Sequence, residues 1–427
     1  MKVCCLLFAF LFALSCAKPS EPVKTEEVKA ETTFELPTIS TLGSSDLAPV
    51  RTAIGGKTLV MLGESIHLTS EFPRVRDMLV RNLHESGEFS LLLFDGSPVD
   101  FWIAEEEYLS STKDVLSGAD FQKNALLALW QTDEIRSVID YALRSQTGIG
   151  RSDLYLSSYD VQIGQGRRFA RGRSVFETLV GLLKKRDRRV PAAEEEAILF
   201  LEGLVGCEKK GFPESDEQYA QAEQGIGALA RVAALTGRNS ENDLHEKALT
   251  LLPKMVGYSL QFCREVKETT RDSAEARDDW ASRQFIDLFS TMNQKAMVWA
   301  HSSEIRQSSS KGERMSFGAY VRSAFPDQTF AIHFTAGSGR AIAFTDAKGS
   351  EIQPIETALL PLDRVSLEQK LSRLSRMDFF VASQSLPSDF GIQETTRWEP
   401  GGFITIDPRK DFDGYYFVQE ITGPRLK

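Results

Sequence analysis

The chain has 427 residues, 42% of them hydrophobic and 26% charged, and a formal net charge of −10. That composition supports a large core and excludes overall disorder. The acid excess argues against a nucleic-acid binder, which carries the opposite balance or a basic stripe. The basic cluster Arg167 to Arg173 is expected to be a solvated loop and helix start.

In chain order, residues 1–16 read as an export signal. Lys2 supplies positive charge, Leu6 to Leu14 form an apolar run too short to span a bilayer, and Ser15-Cys16-Ala17 is a small-residue exit. Ala13-Leu14-Ser15-Cys16 has the form of a bacterial lipobox, which makes Cys16 a candidate for lipidation; ordinary cleavage near Ala17 is the competing expectation. Residues 17–40, rich in Glu, Lys, Pro and Thr, are expected to be a flexible tether. Together these place the protein in a bacterial cell envelope, touching the membrane only through an N-terminal lipid anchor.

Lys57 to Leu62 predicts a buried strand ended by Gly63. Glu64, His67 and Glu71 follow within eight residues, and a helix is expected from about Ser70 to Ser86. Three more apolar runs end the same way. Phe89 to Phe94 ends on Asp95, Asp153 to Ser158 on Tyr159-Asp160, and Ala296 to Ala300 on His301, with Glu304 just beyond. Parallel strands share one carboxyl rim, where ligands bind in open α/β sheets. The expected fold is therefore α/β: a mostly parallel sheet flanked by helices, built from residues 41–165 and 294–427. Residues 166–293 carry no strand pattern and are expected to form a large helical insertion, or cap. Strands are expected again at Thr329 to Phe334 and Arg340 to Phe344.

Within the helix after Gly63, Phe72, Val75, Leu79 and Leu83 form an apolar stripe, and Arg76 falls inside it. A buried guanidinium needs a carboxylate, for which Glu64 and Asp95 are the candidates. A carboxylate beside His67 would fix its tautomer and raise its basicity, as a general base requires. His301, closing a strand, is the other histidine expected to function. His84 and His245 are expected on the surface, and His333 is expected to be structural, facing away from the core. Cys207 and Cys263 lack metal-ligand spacing, and whether they pair is open.

Neither a Gly-x-Ser-x-Gly elbow, an HExxH zinc motif nor a phosphate-binding loop occurs. No cofactor is expected. What remains is a water-activating or proton-transfer site made of histidine and carboxylates.

An ordered set of motifs resembles the erythromycin esterase family over about residues 54–345. It comprises Gly63-Glu64-x-x-His67-x-x-x-Glu71-Phe72 with Arg76 behind it, Trp130 to Arg136, and Tyr159-Asp160-Val161-Gln162. Arg271-Asp272-x-x-x-Ala276, Val298-Trp299-Ala300-His301 and Gly318 to Arg322 complete it. The resemblance implies hydrolysis of a macrolide lactone or related small-molecule ester without a covalent nucleophile. His67 would take a proton from water and Glu64 would orient it. Arg76 and His301 would hold substrate or steady the oxyanion, and Glu71 would buttress the site. Asp95 stands where the family usually has Glu, and Glu304 where it has a second histidine. Two other expectations compete. Glu64, His67, Glu71, Asp95, His301 and Glu304 are a donor set for a metal, and a catalytically degenerate scaffold would be a binding lipoprotein.

Overall fold

The computed structural model describes residues 33–425 apart from 87–88, 111–116, 146–153, 167–173, 207–212, 238–242, 309–313, 346–352, 363–365 and 392. The export signal, Cys16, most of the tether, the basic cluster at 167–173 and Cys207 lie outside the described residues.

A nine-stranded sheet forms the centre. Its strands are β1 (Thr33–Glu35), β2 (Leu59–Glu64), β3 (Phe89–Phe94), β4 (Tyr155–Ser158), β5 (Lys295–His301), β6 (Thr329–Thr345), β7 (Gln353–Ala358), β8 (Phe379–Ala382) and β11 (Gly414–Ile421). The order is β1-β8-β11-β6-β2-β5-β3-β4, with β7 on the far half of β6. From β11 to β4 every pairing is parallel. β8 runs antiparallel to β11, and β7 antiparallel to β6. β9 (Glu394–Glu399) and β10 (Gly402–Ile406) make a separate hairpin.

The central strands are apolar throughout because both faces are covered. Leu59, Met61, Val298 and Ala300 pack with the helices Val175–Arg186, Asp216–Thr236, Leu244–Glu268 and Ser273–Met292. Val60, Leu62, Met297 and Trp299 pack with Glu71–Glu85 and Asp133–Ser145 on the other face. Alternate residues of one strand thus enter different cores. Among the described residues of 166–293 all regular structure is helical. Cys263 there is disulfide-bonded. Among the described residues no helix is long and apolar enough to cross a membrane.

From β2 the chain moves one way along the sheet to β3, and from β5 it moves the other way to β6. β2 and β5 are neighbours, so their carboxyl ends flank the point where the winding reverses, where such sheets open a crevice.

Three local expectations are corrected. Gly63 lies inside β2, which runs on to Glu64. A Cβ at Gly63 would come within 2.9 Å of Ser302 Cα and collide with Ile305, so the glycine admits the turn after β5. The two short strands expected at 329–344 are one long strand, β6, because its second half pairs with β7. The tether ends early: Thr33–Glu35 pairs with β8, and Leu36 is buried behind it.

Candidate active site

The register places Glu64 directly beside His301. Past Glu64 the chain enters a loop whose backbone is tied down at several points. Ser65 N–H donates to Phe334 O at 2.9 Å, Ile342 N–H to Leu68 O at 3.1 Å, and Ser70 N–H to Thr422 O at 2.8 Å. Leu68 adopts φ 55°, a left-handed conformation that costs a leucine about 1–2 kcal/mol. The length of β6 thus matters to the site, since both its halves hold the loop that carries His67.

His67 Nδ1 lies 2.7 Å from Glu64 Oε1. Arg76 Nη2 donates to Glu64 Oε2, so both carboxylate oxygens are held. Arg76 is fully buried; its Nη1 reaches Leu62 O at 3.2 Å and Ala300 O at 3.3 Å, and its guanidinium lies 4.0 Å from the Trp299 ring centre. Burial lowers its pKa to about 10, which leaves it charged at neutral pH. This is the pairing the apolar stripe predicted, and it puts Arg76 behind Glu64 rather than against a substrate.

The His67 side chain is 27% exposed. Its ring packs edge-on to Trp130 at 4.9 Å and tilted to His301 at 4.6 Å. Burial opposes its protonation, but the hydrogen bond and charge of Glu64, with Glu304 and Glu399 further off, raise its pKa overall. His67 Nε2 has no hydrogen bond to the described residues.

His301 is used differently. Its Nδ1 accepts from the Ser303 backbone N–H at 3.2 Å, so Nε2 carries the hydrogen and donates to Ser65 O at 3.1 Å. Burial, and then the neighbouring His67, push its pKa well down, so the ring is neutral. Trp398 of β9 packs edge-on against it at 4.9 Å.

The remaining acids meet around Arg277, on the helix Ser273–Met292. Arg277 Nη2 lies 2.5 Å from Asp95 Oδ1, 2.9 Å from Asp160 Oδ2 and 3.6 Å from Glu304 Oε1. Burial, with Glu304 and Asp160 as like charges, drives Asp95 up to about 7 despite Arg277. Tyr159 donates its hydroxyl to Glu304 Oε2 at 3.0 Å. Glu304 opens on a cleft of about 330 Å³ lined also by Asp278, Ser303, Arg306, Arg314, Ser316 and Trp398.

Glu64, His67, Arg76, Asp95, Asp160, His301 and Glu304 therefore gather at one rim. Glu71 does not join them. Its carboxylate accepts from Thr422 N–H at 2.6 Å and Thr422 Oγ1 at 2.7 Å, so it fastens the C-terminal segment. Among the described residues no three His, Cys, Asp or Glu side chains are arranged to hold a metal ion.

Residues 93–421 match the profile of the erythromycin esterase family. The chain belongs to that family. Among its relatives is YbfO of Bacillus subtilis (strain 168), whose name marks it as a hydrolase by inference; it is 22% identical over 382 residues, 80% of this chain and 78% of the relative. Three solved structures share the fold across 92% of this chain. A Bacillus cereus protein superposes with a TM-score of 0.71 at 15% identity over 96% of its length. A succinoglycan biosynthesis protein gives 0.70 at 17% over 96%. A histidine mutant of erythromycin esterase EreC in its open conformation gives 0.66 at 15% over 99%.

The family match begins at residue 93 and so leaves out Glu64, His67 and Arg76, whose place at the rim rests on geometry. Arg277 was nevertheless accessible to sequence reasoning. It follows Ala276 of a quoted motif and continues the buried row Ala281, Gln284, Leu288 at helical spacing, as Arg76 continues its own. Trp398, from a hairpin some hundred residues beyond β5, carried no such signal.

The other histidines are buried. His84 binds the Tyr141 hydroxyl at 2.8 Å, and His245 is held between Glu105 and Glu106. His333 joins Ser302 and Thr396 at 2.7 and 3.0 Å and stacks on Phe412. The expectation of solvated positions for His84 and His245, and of an outward-facing His333, fails because each polar ring is buried and has a hydrogen-bond partner.

Proposed function

We propose that this erythromycin esterase-family hydrolase cleaves a carboxylic ester or lactone, with His67 as the general base that activates water. The observation that carries this reading is the His67 Nδ1 to Glu64 contact of 2.7 Å, in a ring whose Nε2 is left without a partner among the described residues. Glu64 accepts the Nδ1 hydrogen, which places the lone pair on Nε2, where it can take a proton from water. Arg76 fixes the second Glu64 oxygen and sets a positive charge beside it. His301 gives its Nε2 hydrogen to Ser65 O, so in this arrangement it flanks His67 instead of presenting a donor to an oxyanion.

A panel of alkyl, aryl and macrocyclic esters, assayed with wild type and His67→Ala, tests the reading. Hydrolysis that depends on His67 supports it. Binding of the same compounds by both proteins, with no turnover by either, would instead make the chain a binding protein on an enzyme scaffold.

The N-terminal segment supports a second part of the proposal, export followed by lipid attachment at Cys16. Cys16→Ala should move the protein from the membrane fraction to the soluble fraction; an unchanged distribution would rule out attachment there.

A further inference from the structure

Arg277 is a single cation facing three carboxylates at short range. Asp278 adds a fourth negative charge to the surroundings of Glu304, although Arg314 Nε pairs with it at 3.0 Å. Asp95, Asp160 and Asp278 are buried, and the Glu304 side chain is 13% exposed. Carboxylates this close in a dry site cannot all ionise, so the group keeps a proton near neutral pH.

The geometry says where that proton can go. Arg277 reaches Asp160 Oδ2 with two nitrogens, Nε at 3.0 Å and Nη2 at 2.9 Å, and Asp95 and Glu304 with Nη2 alone. Burial favours the protonated form of Asp95, of Glu304 and, against the pull of Arg314, of Asp278. Of the three carboxylates around Arg277, Glu304 alone lines the cleft; Asp278 lines it too, but is bound there by Arg314, whereas Glu304 follows His301 on the side where Trp398 packs. His301 cannot serve as an acid, because its Nε2 hydrogen is committed to Ser65 O. The other groups that face Glu304 are the Tyr159 hydroxyl, the His301 backbone N–H at 3.4 Å and the charge of His67, with Arg306 and Arg314 along the same cleft.

We propose that Glu304 is a catalytic residue, a carboxylic acid that protonates the departing alkoxide; this rests on the ester-hydrolysis reading. Water forms a bond to the carbonyl carbon and gives one proton to His67 Nε2. The tetrahedral intermediate then breaks its bond to the alcohol oxygen, and that electron pair takes the Glu304 proton. The proton on His67 returns through solvent to the Glu304 carboxylate. The net reaction is ester plus water to acid plus alcohol.

The role has a signature that a structural one lacks. A phenolate leaves unaided, whereas an alkoxide needs its proton. In esters of one acid with alcohols from nitrophenol to simple alkanols, Glu304→Gln should lower kcat/KM for the alkyl esters on the order of 10²- to 10⁴-fold. The nitrophenyl ester should be nearly unaffected. An equal loss across the series, or unchanged alkyl rates, would overturn the proposal and leave the acid step to His67. If wild type shows no His67-dependent hydrolysis of any ester, the ester reading fails and takes the role of Glu304 with it. Should Glu304→Gln not fold, Tyr159→Phe decides. Removing a hydrogen bond that favours the carboxylate form should move the alkaline limb of the alkyl-ester profile to higher pH, and an unmoved limb would overturn the proposal.

Discussion

His67 and His245 are both bound to carboxylates, and they differ in what is left of the ring. His67 meets one carboxylate through Nδ1 and keeps Nε2 unengaged among the described residues, with its side chain 27% exposed. His245 meets Glu105 through Nδ1 at 2.8 Å and Glu106 through Nε2 at 2.7 Å, and its side chain is 8% exposed. It stacks on Trp102 at 5.2 Å, while Arg186 ties Glu106 and Glu246 into the same cluster. With both nitrogens facing carboxylates it is an imidazolium: burial opposes the charge, but Glu105 and Glu106 raise its pKa to about 9. A histidine beside an acid is thus not a base by virtue of the pairing. It becomes one when a nitrogen is left over and faces space that water and substrate can enter.

The sharpest way to break this contrast is to delete both rings. His67→Ala should lower ester hydrolysis on the order of 10²- to 10⁴-fold and leave the urea midpoint nearly unchanged. His245→Ala should do the reverse, losing stability with the rate retained. Equal rate losses in the two variants would dissolve the distinction. The pH profile adds a check: hydrolysis should rise as pH climbs through the raised pKa of His67, because the neutral ring is the base.

Arg76→Met removes the cation behind Glu64 and leaves a buried carboxylate with only His67 as its partner. It should cost about 3–5 kcal/mol in denaturant unfolding and also depress the rate. A stable, fully active Arg76→Met would mean that Glu64 needs no support.

His245 sharpens the comparison through pH. Its folded pKa is raised, so its contribution is fully present below the ordinary histidine value of 6.5 and is lost as pH rises through about 9. The loss is on the order of 3 kcal/mol. Asp95 and Asp100, both pushed up to about 7 by burial, act at lower pH, weakening the fold between the ordinary aspartate range and 7. His245→Gln should therefore flatten stability between pH 7 and 9; a slope equal to wild type would assign it to other groups.

Glu71→Gln is the smallest expected effect. Losing a charge that holds Thr422 should cost about 0.5–1.5 kcal/mol, with no change in rate. A large rate loss would return Glu71 to the site.

Much of the rim was legible in sequence because each strand announces its own end. Apolar runs closing on Glu64, Asp95, Asp160 and His301 need no knowledge of one another, and a parallel sheet aligns such ends. Arg76 was legible from its stripe. Glu71 stands off the rim although it is close in sequence; as the first residue of its helix it holds Thr422, whose carbonyl in turn ties down the loop that carries His67. The acidic neighbours of His245 in sequence suggest a solvated face, yet the ring is buried. Its true partners, Glu105 and Glu106, lie some 140 residues away.

The sequence alone determined which residues end strands, which helices carry a charge in their apolar stripe, and the family, since these depend on local periodicity and ordered motifs. Tertiary structure alone decided that one arginine would serve three carboxylates, that Trp398 would flank His301, and that His245 would be sealed while His67 stayed open. Those outcomes depend on which polar groups meet when distant elements pack. Electrostatics in a dry interior is set by those meetings and not by neighbours along the chain.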